Sequence, residues 1–144
     1  MGSAERPHVL LVEDNPADVT LLEELLEEEN CLLALCCTQD GYEALDYLNH
    51  RNQYKNVGVP DVILLDLGLP KMNGYEVLER IRSTLHLAKI PVVVLTTSRD
   101  PKDKELCMSL GANVFLSKPY DLSGYEALVH QLANVVFPSM VKAN

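Results

Sequence analysis

Several kinds of functional apparatus are missing from this chain. Its four cysteines (Cys31, Cys36, Cys37 and Cys107) form no C-x-x-C pair, and three of them crowd one apolar run. Such a pattern makes neither a metal site nor a disulfide framework, and it predicts reduced cysteines in a core. The four histidines (His8, His50, His86 and His130) are scattered without an H-x-x-x-H pair, which argues against a histidine metal centre. No apolar run exceeds Cys31–Cys37, far short of a membrane span. The N-terminus lacks an apolar signal region, and Arg6 breaks the acylation pattern suggested by Met1-Gly2. Basic residues are scarce too: 12 Lys and Arg against 21 Asp and Glu leave a net charge of −9. Without a basic face, nucleic acid is not an expected partner. The expectation is a soluble cytoplasmic protein that engages neither membrane nor nucleic acid.

What remains is enough for one well-packed domain. With 144 residues, 47% of them hydrophobic, the chain can bury a core without a metal or a disulfide. Short apolar runs at His8–Glu13, Cys31–Thr38, Asp61–Asp66, Pro91–Thr96 and Asn113–Ser117 predict strands. The first, third and fourth are almost continuous in Val, Ile and Leu, as expected for parallel strands covered on both faces. Helical periodicity falls between them, at Asp18–Glu29, Gly41–Asn49, Tyr75–Leu85, Pro101–Leu110 and Tyr125–Phe137. Leu78, Ile81 and Leu85 are expected inward on the third helix, and Leu128, Leu132, Val135 and Val136 on the last. Alternation of five strands with five helices implies a doubly wound α/β sheet with helices on both faces. A Gly-Tyr-Glu-x-Leu pattern recurs at Gly41, Gly74 and Gly124, which suggests one helix-start solution used three times. The long polar connection Asn49–Pro60 is of a kind that is commonly functional or mobile. Nothing marks a second domain, and a single domain over 1–144, with a core of about 7–137 and no output domain, is expected.

In an open parallel sheet, ligands bind beyond the carboxyl ends of the strands. The first strand ends at Glu13-Asp14, the third at Asp66, the fourth at Thr96-Thr97, and the fifth runs into Lys118-Pro119. Three acids brought to one edge repel each other and invite either protonation or a cation. Oxygen ligands with an open face suit Mg²⁺ together with a phosphate oxygen. Lys118 supplies a point charge for a phosphoryl oxygen, Thr96 a hydrogen-bond donor, and Asp66 can itself attack phosphorus. Gly68 lets backbone approach this edge closely, and Lys118-Pro119 is a candidate cis bond. Each residue alone has a duller role: Asp14 as a helix cap, Lys118 as a surface lysine, Phe115 as core. Their joint occurrence at four strand ends is what points to chemistry. The glutamates of the first helix are expected to form a solvated face.

V-E-D-N-P, D-x-x-L-P-x-M-x-G, T-T-S and K-P, in this order, resemble the receiver domain of two-component response regulators. Asp66 and Thr96 lie 30 residues apart, and Thr96 and Lys118 lie 22 apart, as in that family. The resemblance implies a flavodoxin-like sheet of order 2-1-3-4-5. It implies phosphorylation of Asp66 by a sensor histidine kinase, with Mg²⁺ held by Glu13 through water, by Asp14, by Asp66 and by the carbonyl of Gly68. It implies catalytic roles for Asp66, Thr96 and Lys118, a switch formed by Thr96 and Phe115, and a signal passed from the fourth-helix, fifth-strand and fifth-helix face to a downstream protein. Such a protein is not a turnover enzyme, since it catalyses only its own phosphorylation and dephosphorylation, and it needs no bound organic cofactor. The insertion before the third strand and the L-x-A-N-x-x-L-x-K-P-x-D-L stretch resemble stand-alone regulators that partner phytochrome kinases, often dimeric through the fourth and fifth helices. Two places depart from fast-dephosphorylating relatives: Gly68 and Ser98 offer no amide or acid to orient water, which implies a long-lived phospho-form. Phe115 also lacks the hydroxyl that a tyrosine would bring.

Three rival classes share parts of this pattern. A flavodoxin-type electron carrier would find its phosphate repelled by Glu13-Asp14. An aspartate-nucleophile phosphatase needs a general acid two residues on, where Gly68 stands. A non-phosphorylated docking module would typically have lost one of Asp14, Asp66, Thr96 or Lys118, and all four are present.

Overall fold

The computed structural model describes residues 6–141, so the Met1-Gly2 start lies outside the described residues. Five strands form one parallel sheet: β1 His8–Val12, β2 Ala34–Thr38, β3 Val62–Leu65, β4 Val92–Thr96 and β5 Val114–Ser117, in the order β2-β1-β3-β4-β5. The helices are α1 Pro16–Glu28, α2 Gly41–Leu48, α3 Gly74–Ser83, α4 Pro101–Ser109 and α5 Leu122–Gln131. α5 continues through a π turn at Leu132–Val136 into a short α6, Phe137–Met140.

Side chains alternate across a strand, so each central strand feeds two cores. Leu10, Val12, Ile63, Leu65, Val92 and Val94 pack on the side of α2, α3 and α4. Val9, Leu11, Val62, Leu64, Val93 and Leu95 pack on the side of α1 and α5. This is why β1, β3 and β4 read as unbroken apolar runs, whereas the edge strands β2 and β5 are only partly covered.

Register brings the strand ends level. Val12 lies between Thr38 and Leu65, Leu65 beside Val94, and Thr96 beside Ser117. The residues that follow, Glu13, Asp66 and Lys118, therefore emerge at one edge. Side-chain oxygens of Asn15, Asp40, Asn73, Asp100 and Asp121 cap α1 to α5 there, each accepting a hydrogen bond from a first-turn amide. Each cap contributes about 1 kcal/mol and fixes where the chain turns from strand into helix.

Several sequence expectations are corrected. Residues 31–33 do not join β2: the chain turns at Asn30 (φ +56°) and enters the sheet at Ala34, which leaves Leu32 exposed. Leu85 is 95% exposed because α3 stops at Ser83, and Leu87 takes the inward place instead. Val135 faces solvent because the π turn adds a residue to the helical turn and rotates Val136 and Phe137 into the core. Of the four free cysteines, Cys107 alone is fully buried, while Cys31 and Cys36 are half-buried and Cys37 is exposed. Gly41 and Gly74 do begin helices, but Gly124 is the third residue of α5, since Asp121 supplies the cap. The connection after α2 is mostly exposed but is pinned to the core by Tyr54 and Val57, with Tyr54 tilted against Tyr47 at 5.0 Å between ring centroids.

Gly74 has a steric reason. A Cβ there would meet the carbonyl oxygen of Asp66 and Cα of Leu67, both at 2.6 Å. Gly74→Ala is therefore expected to destabilise the protein by about 1–3 kcal/mol through overpacking against backbone. Chemical denaturation checks this, and an unchanged midpoint would contradict the close approach.

Candidate functional site

The chain leaves β1 at Glu13, which is 2% exposed, and passes to an exposed Asp14. Asn15, not Asp14, caps α1, so the Asp14 carboxylate is not spent on the helix. Asp66 follows β3 with its amide bonded to the Val12 carbonyl. Its Oδ1 accepts a hydrogen bond from the Gly68 amide at 3.2 Å. Thr96 closes β4, and its Oγ1 accepts the Ser98 amide at 3.2 Å, which leaves its own proton free to donate elsewhere. Lys118 follows β5, its amide bonded to the Thr96 carbonyl at 2.6 Å.

The Lys118 ammonium unites these segments. Its Nζ lies 2.6 Å from Glu13 Oε1, 3.1 Å from Asp18 Oδ2 and 3.5 Å from Asp66 Oδ2. Burial lifts the Glu13 carboxyl to about 7, and the Lys118 hydrogen bond works against that rise. Burial would by itself lower the Lys118 ammonium, but its hydrogen bonds to Glu13 and Asp18 and the charges of Asp66 and Glu13 hold it above the ordinary lysine range. One ammonium among several acids leaves the pocket short of positive charge.

Carboxylate oxygens of Glu13, Asp14 and Asp66 all lie within 4.8 Å of one another. An all-oxygen donor set of this kind fits a hard divalent cation such as Mg²⁺ or Mn²⁺. Gly68 is exposed beside Asp66, and a Cβ there would come no nearer than 4.0 Å to Asp66 Oδ1, so this arrangement places no steric demand for glycine at 68. The Lys118-Pro119 bond is trans, as no cis peptide occurs among the described residues.

Around the pocket, the β4–α4 loop is tied down by residues that the sequence reading did not single out. Arg99 Nη2 donates to the Lys118 carbonyl at 2.7 Å and Nε to the Tyr120 hydroxyl at 2.8 Å, with the guanidinium 4.3 Å above the Tyr120 ring. Ser117 Oγ donates to the Ser98 carbonyl at 3.0 Å. Hydrogen bonds from Ser98 and Tyr75 hold the Asp103 carboxyl below its usual range. Phe115 is half-buried, beside Val94 in register, and packs on the core shared with α4. The glutamates Glu23, Glu24, Glu27 and Glu28 are exposed along α1, as expected of a solvated face.

The profile of the response regulator receiver domain matches residues 9–130. The chain belongs to this family. Among curated relatives, it is 41% identical over 114 residues to response regulator Rcp1 of Synechocystis sp., covering 79% of this chain and 78% of that protein. It is also 33% identical over 135 residues to the two-component response regulator ARR17 of Arabidopsis thaliana, covering 90% and 87%. Among solved structures, the Mn²⁺-bound form of Rcp1 superposes with a TM-score of 0.88 at 36% identity, covering 95% of this chain and 99% of that one. The phosphorylated cyanobacterial phytochrome response regulator RcpA gives 0.84 at 37% identity, covering 92% and 96%. The receiver family confirms the flavodoxin-like sheet and places the protein among two-component signalling modules rather than turnover enzymes. No helix among the described residues is long and apolar enough to cross a membrane.

The raised Glu13 carboxyl predicts that any cation binding at this pocket depends on pH. A cation that uses the Glu13 carboxylate, directly or through water, displaces the proton that burial retains there. Affinity should therefore climb with pH, by at most about tenfold per unit, and level off above about 7. Titration with Mn²⁺ over this range checks the slope, and pH-independent affinity would contradict the raised Glu13.

Proposed function

We propose that this receiver accepts a phosphoryl group on Asp66 from a sensor histidine kinase and relays the event to a downstream protein. The observation that carries the reading is the Lys118 ammonium, which is held among acids from separate segments and in direct reach of Asp66. Glu13, Asp14 and Asp66 would hold Mg²⁺, with the Gly68 carbonyl as a further ligand. When bound, the metal supplies positive charge that offsets the acids and the phosphoryl oxygens.

The remaining work falls to the chain. An Asp66 carboxylate oxygen attacks phosphorus in line. The phosphorus–nitrogen bond of a phosphohistidine breaks, the electron pair returns to the imidazole, and an acyl phosphate forms. Lys118, preplaced and desolvated, donates to a transferring oxygen, so catalysis is positioning and electrostatics. Thr96 has a free hydroxyl proton for another oxygen. The product brings about −1.5 to −2 of charge into the pocket. Thr96 moves toward it and Phe115, packing against the α4 side, fills the vacated space, so that the α4–β5–α5 surface changes. Lacking a hydroxyl, Phe115 acts by packing alone.

Likeness to RcpA, itself named as a phytochrome response regulator, supports a phytochrome-type kinase as the cytoplasmic partner. A homodimer through α4 and α5 goes with that reading, and Leu106 and Met108 on α4 are partly exposed. The phospho-form should be long-lived. Ser98 donates its hydroxyl proton to Asp103 and accepts the Asp100 amide, so it is not free to orient an attacking water.

Incubation with acetyl phosphate and Mg²⁺, followed by intact mass, is expected to show one added phosphoryl group that Asp66→Asn abolishes. Undiminished labelling of that variant would refute Asp66, and an unlabelled wild type would favour the docking-module reading. Decay of the phosphoprotein over minutes or longer is expected, and decay within seconds would contradict the role given to Gly68 and Ser98.

A further inference from the structure

Lys118 has a partner that none of the strand-end motifs contains. Asp18, in the first turn of α1, places Oδ2 3.1 Å from the ammonium, with its side chain 23% exposed. The other two carboxylates at this nitrogen, Glu13 and Asp66, belong to the three-acid set suited to a cation, and Asp18 does not. A cation and a phosphoryl group would engage Glu13 and Asp66, whereas Asp18 lies outside that set. The phenol of Tyr125, buried on α5, is raised chiefly by burial and next by the charge of Asp18, so α5 packs close to this carboxylate.

We infer that Asp18 is a positioning residue for Lys118: it holds one ammonium proton throughout the cycle and keeps the other two aimed at the acceptor carboxylate and the incoming oxygens. An ammonium buried to 6% exposure cannot leave a donor unmatched without cost, and its long stem gives no direction by itself. Without the Asp18 carboxylate, the ammonium is drawn fully to Glu13, its shortest contact, and away from the phosphoryl path. The inference rests on phosphorylation of Asp66 as proposed above, and it adds a group on a helix to a site otherwise built from strand ends.

The test compares wild type, Asp18→Asn, Asp18→Glu, Lys118→Ala and the Asp18→Asn/Lys118→Ala double variant. The rate of phosphorylation is measured at saturating Mg²⁺ and acetyl phosphate. Asp18→Asn should lower the maximal rate about tenfold, as expected for a slightly misplaced catalytic group, with Asp18→Glu recovering most of it. In the Lys118→Ala background Asp18→Asn should add almost nothing, because residues that act through one another are non-additive. In metal-free protein, the buried Lys118 ammonium is expected to give a slowly exchanging ¹⁵N signal that broadens in Asp18→Asn, a readout independent of turnover. An unchanged maximal rate, or an equal loss with and without Lys118, would overturn the inference while leaving Asp66 phosphorylation intact. A wild type that takes up no phosphoryl group would instead overturn the underlying reading. A variant with lowered thermal stability but a normal rate and ammonium signal would make Asp18 merely structural, and would also overturn the inference.

Discussion

A buried ammonium surrounded by carboxylates cannot exist unless the chain brings its partners together from distant segments. Lys118 meets Glu13 across 105 positions and Asp18 across 100, at distances only a closed fold can hold. The parallel sheet meets that requirement by register: strands paired level along their length end level, and their next residues emerge into one pocket. Two apolar layers anchor the strands from above and below, so the pocket rests on the least deformable part of the molecule. Electrostatic strain at the edge is supported by packing at the centre.

That pocket is deliberately incomplete in charge. Its acids outnumber its one ammonium, and burial raises the Glu13 carboxyl to about 7 rather than letting it ionise freely. Such a site is poised toward added positive charge, and once that is supplied, toward an anionic group beside Lys118. In the proposed switch, an arriving phosphoryl group would alter the partners of Lys118, whose backbone carbonyl also secures Arg99 of the β4–α4 loop. Arg99 binds the Lys118 carbonyl itself, so a movement of either loop is felt by the other. α4 has Cys107 as its one buried residue, fewer than α1, α2, α3 or α5.

Much of this was legible in the sequence because it depends on composition and spacing. Unbroken Val-Ile-Leu runs announced β1, β3 and β4, and acids at their ends announced the pocket. The caps Asp40, Asn73 and Asp121 were hidden in ordinary turn chemistry, yet they placed the helix starts. Where the reading slipped, tertiary effects decided: Leu85 lost its inward place to Leu87 once α3 stopped at Ser83, and the π turn rotated Val135 outward. Asp18 carried no distinguishing signal, since an acid in a first helical turn is already accounted for by the helix dipole. Arg99 was illegible for a similar reason: it acts on a backbone carbonyl, and no side-chain pattern records that.

On the reading proposed above, one pocket at the strand ends receives both a divalent cation and a phosphoryl group on Asp66. A crystal structure of the protein with Mn²⁺ and beryllofluoride, a phosphoryl mimic, tests it most directly. The mimic is expected to be bonded to an Asp66 oxygen, with Lys118 and Thr96 against its fluorines and the manganese between Asp14 and Asp66. Manganese elsewhere, or an unmodified Asp66 with Lys118 still bound to Glu13 and Asp66, would contradict it.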